Sequence, residues 1–255
     1  MEIYEAQFLL FLVLFARITA LIIVAPVFGH QSIPVQAKVA LGVFLSFVLY
    51  PMVSHTTPRI DVQLLAFFVL IIQEVLVGLV LGFAVGMLFA GIKYAGEIIA
   101  FSIGLSVANI FDPEGSQQTP VIGEFVYLLV VLIFILLNGH HFVLEALQLT
   151  YAAVPIGTFA FSQPLADKVI AFGSLMFVVA VKFAAPLMVA SFLTNVGLSI
   201  LARVMPQMNI FVISFPLSIG VGLIVLMSTA PFMVFVFKKL LLGFEDNIVE
   251  LIKIL

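Results

Sequence analysis

The chain has no cysteine and no tryptophan, and only 9% of its residues are charged. Without cysteine there are no disulfides, no thiolate metal sites and no cysteine nucleophile. Without tryptophan the usual member of an interfacial aromatic belt is missing. Five Tyr are too few to replace it, whereas 27 Phe can fill deep packing surfaces. The shortage of charge decides the class. An ordinary soluble domain carries roughly a quarter charged residues, and here too few polar groups remain to cover a surface. What is present is hydrocarbon: 64% of residues are hydrophobic and the mean hydropathy is +1.33. The sequence reads as an all-α membrane protein or part of a membrane-embedded assembly.

A net charge of -3 with no basic run excludes nucleic acid as a partner and a polybasic lipid anchor. The N-terminal MEIYEAQF carries two Glu and no Lys or Arg. It lacks the charged start of a cleavable signal, so residues 1–28 are expected to remain as a first helix. Apolar segments follow at 7–28, 37–53, 62–91, 98–108, 121–137, 169–200 and 209–237. Turn signals separate most of them: Pro26 and GHQSIP at 29–34, Pro51 and SHTTPRID at 54–61, Asn138-Gly139, Pro155 to Pro164, and Pro206-Gln207. No repeat or linker appears, so one all-helical unit is expected over 1–255: N-terminal helices at 1–108, a polar loop at 109–124, and helical hairpins with a tail at 125–255.

The lengths do not suit a simple bundle. Segments 62–91, 169–200 and 209–237 hold about 30 residues each, which as straight helices would be about 45 Å against a hydrocarbon core of about 30 Å. Pro186, Pro216 and Pro231 are expected to break the long ones into tilted pieces, and 98–108 is too short to span. With six spans, Arg59, Lys168, Lys238, Lys239 and Lys253 fall on the side of the termini, and Lys38, Lys93 and Arg203 on the other. That narrow excess places both termini in the cytoplasm.

The polar stretch NIFDPEGSQQTPVIGE at 109–124 interrupts this hydrocarbon with three carboxylates, two glutamines and two prolines. Such an island must face water, a pore or a partner protein. Elsewhere, Glu74, Gly78, Gly82 and Gly86 recur every fourth residue, the spacing at which small residues admit a second helix backbone. Close packing is the plain meaning, a Gly-lined substrate path the sharper one. Arg17, Lys93, Glu97 and Lys182 lie within apolar segments. Charges at such depth mark ion traffic or pairs that glue helices or subunits together. No carboxylate cluster resembles a relay, which favours glue. Arg203 suits a helix C-terminus and Pro206 stops the helix, with Gln207 and Asn209 expected to satisfy its free carbonyls. The result is a hairpin with a charged tip, either a surface turn or a docking element.

His140-His141 cannot share a helix face and has no completing carboxylate nearby, so no metal is expected. No nucleophile elbow, phosphate loop, HExxH or GxSG pattern is present. Neither an enzyme nor a cofactor is expected.

Several motifs in order, RITALIIVAPVFG at 17–29, IPVQAKVAL at 33–41, AGEII at 95–99, GLSVANIFDPEGSQQTPV at 104–121, NGHH at 138–141, VPIG at 154–157 and RVMPQMNIFVISFP at 203–216, resemble the FliR/SctT family of type III export-gate proteins. FDP at 111–113 and NGHH resemble its flagellar branch. The resemblance implies kinked helical hairpins that assemble with several FliP- and FliQ-like subunits into a helical ring in the bacterial inner membrane, at the flagellar basal body. FlhB and FlhA work beside it, a soluble ATPase complex serves the entrance, and unfolded flagellar substrates pass through. Much of the apolar chain would then be covered by protein as well as by membrane lipid. The resemblance also places 105–121 inside the pore as a plug. The residue chemistry suits that role: Asp112-Pro113 and Glu114-Gly115 discourage helix, Gln117 and Gln118 tolerate a wet lumen, and Ile110 and Phe111 can seal a constriction. Leu105, Asn109, Ser116, Thr119 and Pro120 complete the segment. Two rival readings remain: an ion or small-solute transporter using Lys93, Glu97 and Lys182, for which matching interrupted helices in the two halves are missing, and a purely structural nucleator of the ring.

Overall fold

The structure, a computed structural model, describes residues 2–54, 63–105 and 121–255. Among them every regular element is a helix: α1 Glu2–Val24, α2 Val35–Ser54, α3 Leu64–Ser102, α4 Val121–Leu136, α5 Gly139–Ala153, α6 Gln163–Val204 and α7 Ile210–Ile254. Five of them, α1, α2, α3, α6 and α7, are long and apolar enough to cross a membrane, or six spans if α4 and α5 are counted together.

Local chemistry sets most boundaries. α1 stops at Val24, just before Pro26, whose ring disfavours helical geometry in the residue preceding it. The turn that follows is held by the Gly29 amide donating to the Ala25 carbonyl at 2.8 Å. Lys38 then reaches back to the Gly29 carbonyl at 2.8 Å, fixing the start of α2. Between α4 and α5, Asn138 adopts a left-handed backbone (φ 59°). Asn tolerates that conformation better than most residues, and its carbonyl accepts from His141 and Phe142 to start the next helix.

Two expectations fail in the same direction. The segments at 62–91 and 98–108 are not separate: α3 runs unbroken through Lys93 and Glu97 to Ser102, 39 residues in all. Lys and Glu are good helix formers, and a single Gly costs only about 1 kcal/mol, so nothing between 91 and 98 has the strength to end a helix. Likewise Pro186 lies inside α6, and Pro216 and Pro231 inside α7. These helices, of 42 and 45 residues, absorb their prolines instead of dividing there, as helices flanked by packing partners can.

The described chain groups into two compact units, each assembled from distant segments. The first takes residues 1–87, 138–173 and 243–255. In it α1 lies on α3, Phe11 meets Phe47 of α2 at 4.8 Å between ring centroids, and the open ends of the α6–α7 hairpin are joined. There Lys168 donates to Asn247 at 3.0 Å and pairs with Glu250 at 2.5 Å, while Phe172 packs edge-on against Phe244. The second unit takes residues 88–137 and 174–242. Its core centres on Phe89, which makes edge-to-face contacts with Tyr127 and Phe134 of α4 and Phe237 of α7, a geometry that aromatic quadrupoles favour.

Candidate functional site

The most developed polar site lies in the first unit. Arg17 of α1 and Glu74 of α3 are both fully buried and pair at 2.6 Å. Each polar atom of the pair is matched. Arg17 Nη1 donates to the Thr150 hydroxyl at 3.2 Å, and that hydroxyl spends its own proton on the Leu147 carbonyl at 2.6 Å. Nη2 donates to the Val154 carbonyl at 3.1 Å. The second Glu74 oxygen accepts the Gly157 amide at 3.2 Å. The guanidinium lies 4.4 Å from the centre of the Tyr151 ring, a cation–π contact. Tyr151 in turn donates to the Leu14 carbonyl at 3.4 Å. A buried ion pair persists only when its desolvation is offset by such complete satisfaction, and this one ties together α1, α3, α5 and the turn after α5.

The VPIG motif at 154–157 has a local explanation here. Its first carbonyl receives Arg17, its last amide serves Glu74, and Gly157 holds φ 78°, a left-handed conformation suited to glycine. Gln73 extends the same seam by donating to the Phe159 carbonyl at 3.3 Å.

The glycine stripe on α3 faces α1. A Cβ at Gly78 would strike the Arg17 carbonyl oxygen, and one at Gly82 would lie 3.0 Å from Val24 Cβ. At Gly86 the nearest atom is the Val24 carbonyl oxygen, 3.9 Å away. The stripe is thus a backbone-to-backbone seam inside the chain. The stripe, and the charges Arg17 and Glu74, find their partners within the chain. Sequence reasoning had placed Glu74 on the stripe and Arg17 among the deep charges without joining them. Two lone, opposite charges in the first and third apolar segments were the available signal, while Thr150, Tyr151 and the Val154 carbonyl carried none.

The remaining deep charges behave differently. Lys93, Glu97 and Lys182, expected to be buried, are exposed on this chain. Among the described residues none of the three is ion-paired. At the hairpin tip Arg203, Pro206, Gln207 and Asn209 are also exposed. Main-chain bonds close this turn, with the Met205 amide donating to the Leu201 carbonyl at 2.8 Å and the Met208 amide to the Met205 carbonyl at 3.1 Å. Among the described residues the side chains of Gln207 and Asn209, expected to cap it, take no part. Of the expected plug, Leu105 ends the described part of the segment beyond α3, and Asn109, Ile110, Phe111, Asp112, Pro113, Glu114, Gly115, Ser116, Gln117, Gln118, Thr119 and Pro120 lie outside the described residues.

The family model for bacterial export proteins, family 1, matches residues 8–243. The chain belongs to that family. Among its relatives, the flagellar biosynthetic protein FliR of Bacillus subtilis is 32% identical, covering 85% of this chain and 84% of its own length. The FliR protein of Escherichia coli is 33% identical over 92% and 91% of the two chains, and that of Pectobacterium carotovorum 34% identical over 83% and 80%. The resemblance to FliR read from the motifs is therefore a relationship over nearly the whole length. The family match at 8–243 spans Arg17, Glu74 and the VPIG turn as well as the exposed charges.

Proposed function

We propose that this chain is a channel-forming subunit of a flagellar type III protein export gate, without catalysis of its own. It conducts unfolded flagellar substrates across the inner membrane, and residues 105–121 act as the pore plug. The observation that carries this reading is the mismatch between apolar surface and bilayer. Helices of 39, 42 and 45 residues extend about 60 Å or more, twice the hydrocarbon thickness. Yet only 11% of the most apolar stretch of α2, and of α7, is buried by the chain itself. Lipid can cover only part of such lengths, so protein must cover the rest, as expected of one component in a ring of FliP- and FliQ-like subunits beside FlhB and FlhA.

The transporter reading has less support. Every nitrogen of the Arg17 guanidinium and both oxygens of Glu74 already hold fixed partners inside the chain, which makes the pair a packing element and no free relay group. An apolar groove of about 450 Å³ between α4 and α7, lined by Phe125, Leu129, Leu223 and Met227 among others, offers no polar anchor for a solute. Deleting residues 111–118 tests the plug: ion leakage through the assembled complex should rise several-fold. Unchanged leakage with normal assembly contradicts gating, and failed assembly without leakage favours the nucleator.

A further inference from the structure

In sequence the proposed plug, 105–121, lies between the end of α3 and the start of α4. Both of these ends are held by close contacts inside the second unit. Gly91 and Ser102, about three turns apart on one face of α3, meet α6. A Cβ at Gly91 would lie 2.6 Å from the Met176 carbonyl oxygen. The buried Ser191 hydroxyl donates to the Ser102 carbonyl, one of the last four of the helix, which have no partner within it. Gly96 and Ile103, about two turns apart on a second face, meet α4 and α7. A Cβ at Gly96 would overlap Gly123 Cα, so α3 and α4 cross backbone against backbone just after α4 begins. Ile103 is buried and fills the space that a Cβ at Gly222 of α7 would need. Ile122 of α4 and Leu223 of α7 line one apolar groove, which brings these two contacts side by side. Beyond Ile103 the chain leaves the helix at Gly104, with φ 84° beside the Phe215 ring, a conformation that suits glycine.

A glycine in mid-helix weakens the helix. Gly96 and Gly222 stand where any side chain would force main chain or a buried Ile aside. We propose that the Gly96–Gly123 crossing, the Ser191–Ser102 bond and the Ile103–Gly222 contact form a fixed base that positions the plug. These residues act only through 105–121, by setting where the segment leaves α3 and where it enters α4. Close-packed interiors transmit strain, so widening the base unseats the plug although its own residues are unchanged. The proposal rests on the export-gate reading and on the plug within it.

The test co-expresses the full chain with the other membrane subunits of the gate and measures resting ion leakage per assembled complex. Deletion of residues 111–118 supplies the leakage of an absent plug. Gly222→Ala, whose methyl meets Ile103, should raise leakage roughly tenfold, the shift that strain of ordinary overpacking size produces. Gly96→Ala should raise it further and Ser191→Ala less. Gly197→Ala/Gly220→Ala, in the same unit with nothing within 4 Å of either added Cβ, should leave it unchanged. Ile103→Ala/Gly222→Ala, which removes the methyl that the new Cβ would overlap, should return leakage toward the unmodified level. In the 111–118 deletion Gly222→Ala should add nothing, whereas a general loosening of the complex would add to the leak. Additive leakage there overturns the proposal. Unchanged leakage in Gly222→Ala and Ser191→Ala also overturns it, while a leaking deletion leaves the plug reading standing. If Gly96→Ala does not assemble, these two milder variants decide. A deletion that does not leak overturns the plug reading itself, and the proposal with it.

Discussion

Two sets of charges on equally apolar helices meet opposite fates in this chain. Arg17 and Glu74 are buried to the last atom and find every partner within the first unit. Lys93, Glu97 and Lys182 of the second unit stay uncovered and unpaired among the described residues. Sequence alone put Arg17, Lys93, Glu97 and Lys182 into one class, because a charge inside an apolar run looks the same whether its partner lies across a helix or in another molecule. The structure separates a charge that holds the chain together from charges available to hold it to something else.

The sharpest way to break this comparison is to unmake the internal pair. Glu74→Ala leaves Arg17 buried without a counter-charge, and losses of about 3–5 kcal/mol are usual for that change. The folded yield and the Tm of the purified chain should both fall steeply. Replacing the pair together, as Arg17→Met/Glu74→Leu, should recover much of the loss, which would show that the pair serves packing and not conduction. Next in size is Gly78→Ala, whose new methyl meets the backbone of Arg17, an obstacle that cannot swing aside. Overpacking of this kind costs about 1–3 kcal/mol. Gly86→Ala on the same stripe should have little effect, since nothing lies closer than 3.9 Å. A Tm series of Gly78→Ala, Gly82→Ala and Gly86→Ala should therefore rise toward the unmodified value in that order. A small effect of opposite sign is expected at Gly197, exposed in α6 with nothing within 4 Å of an added Cβ. Gly197→Ala should raise the Tm slightly, worth up to about 1 kcal/mol of helix propensity.

Much of the fold was legible because hydrophobic runs, Pro26, Pro34, Asn138 and Pro206 are strong local signals. The end of α1, the start of α2 and the boundary between α4 and α5 followed from them, whereas Pro51, read as a turn signal, lies inside α2. The continuity of α3, α6 and α7 was not legible. Whether Pro186, Pro216 and Pro231 end a helix depends on packing around the freed carbonyls, and no local pattern records that packing. At the site, the glycine spacing announced a close seam but not the helix that fills it. Pairing Arg17 with Glu74 needed the register of α1 on α3 and the return of α5, both long-range facts. The VPIG turn is visible as a motif in the sequence, whereas the purpose of its amide and carbonyl depends on Arg17 and Glu74 arriving from α1 and α3.

The comparison is tested most directly by lysine accessibility. The chain would be treated with a small amine-acylating reagent once alone in detergent and once in the assembled gate, and modification at Lys93 and Lys182 read by mass spectrometry. Both lysines should be modified readily in the isolated chain and at least tenfold more slowly in the complex. Equal modification in the two states would contradict the account, because the charges that the chain leaves uncovered would then remain uncovered when it is assembled.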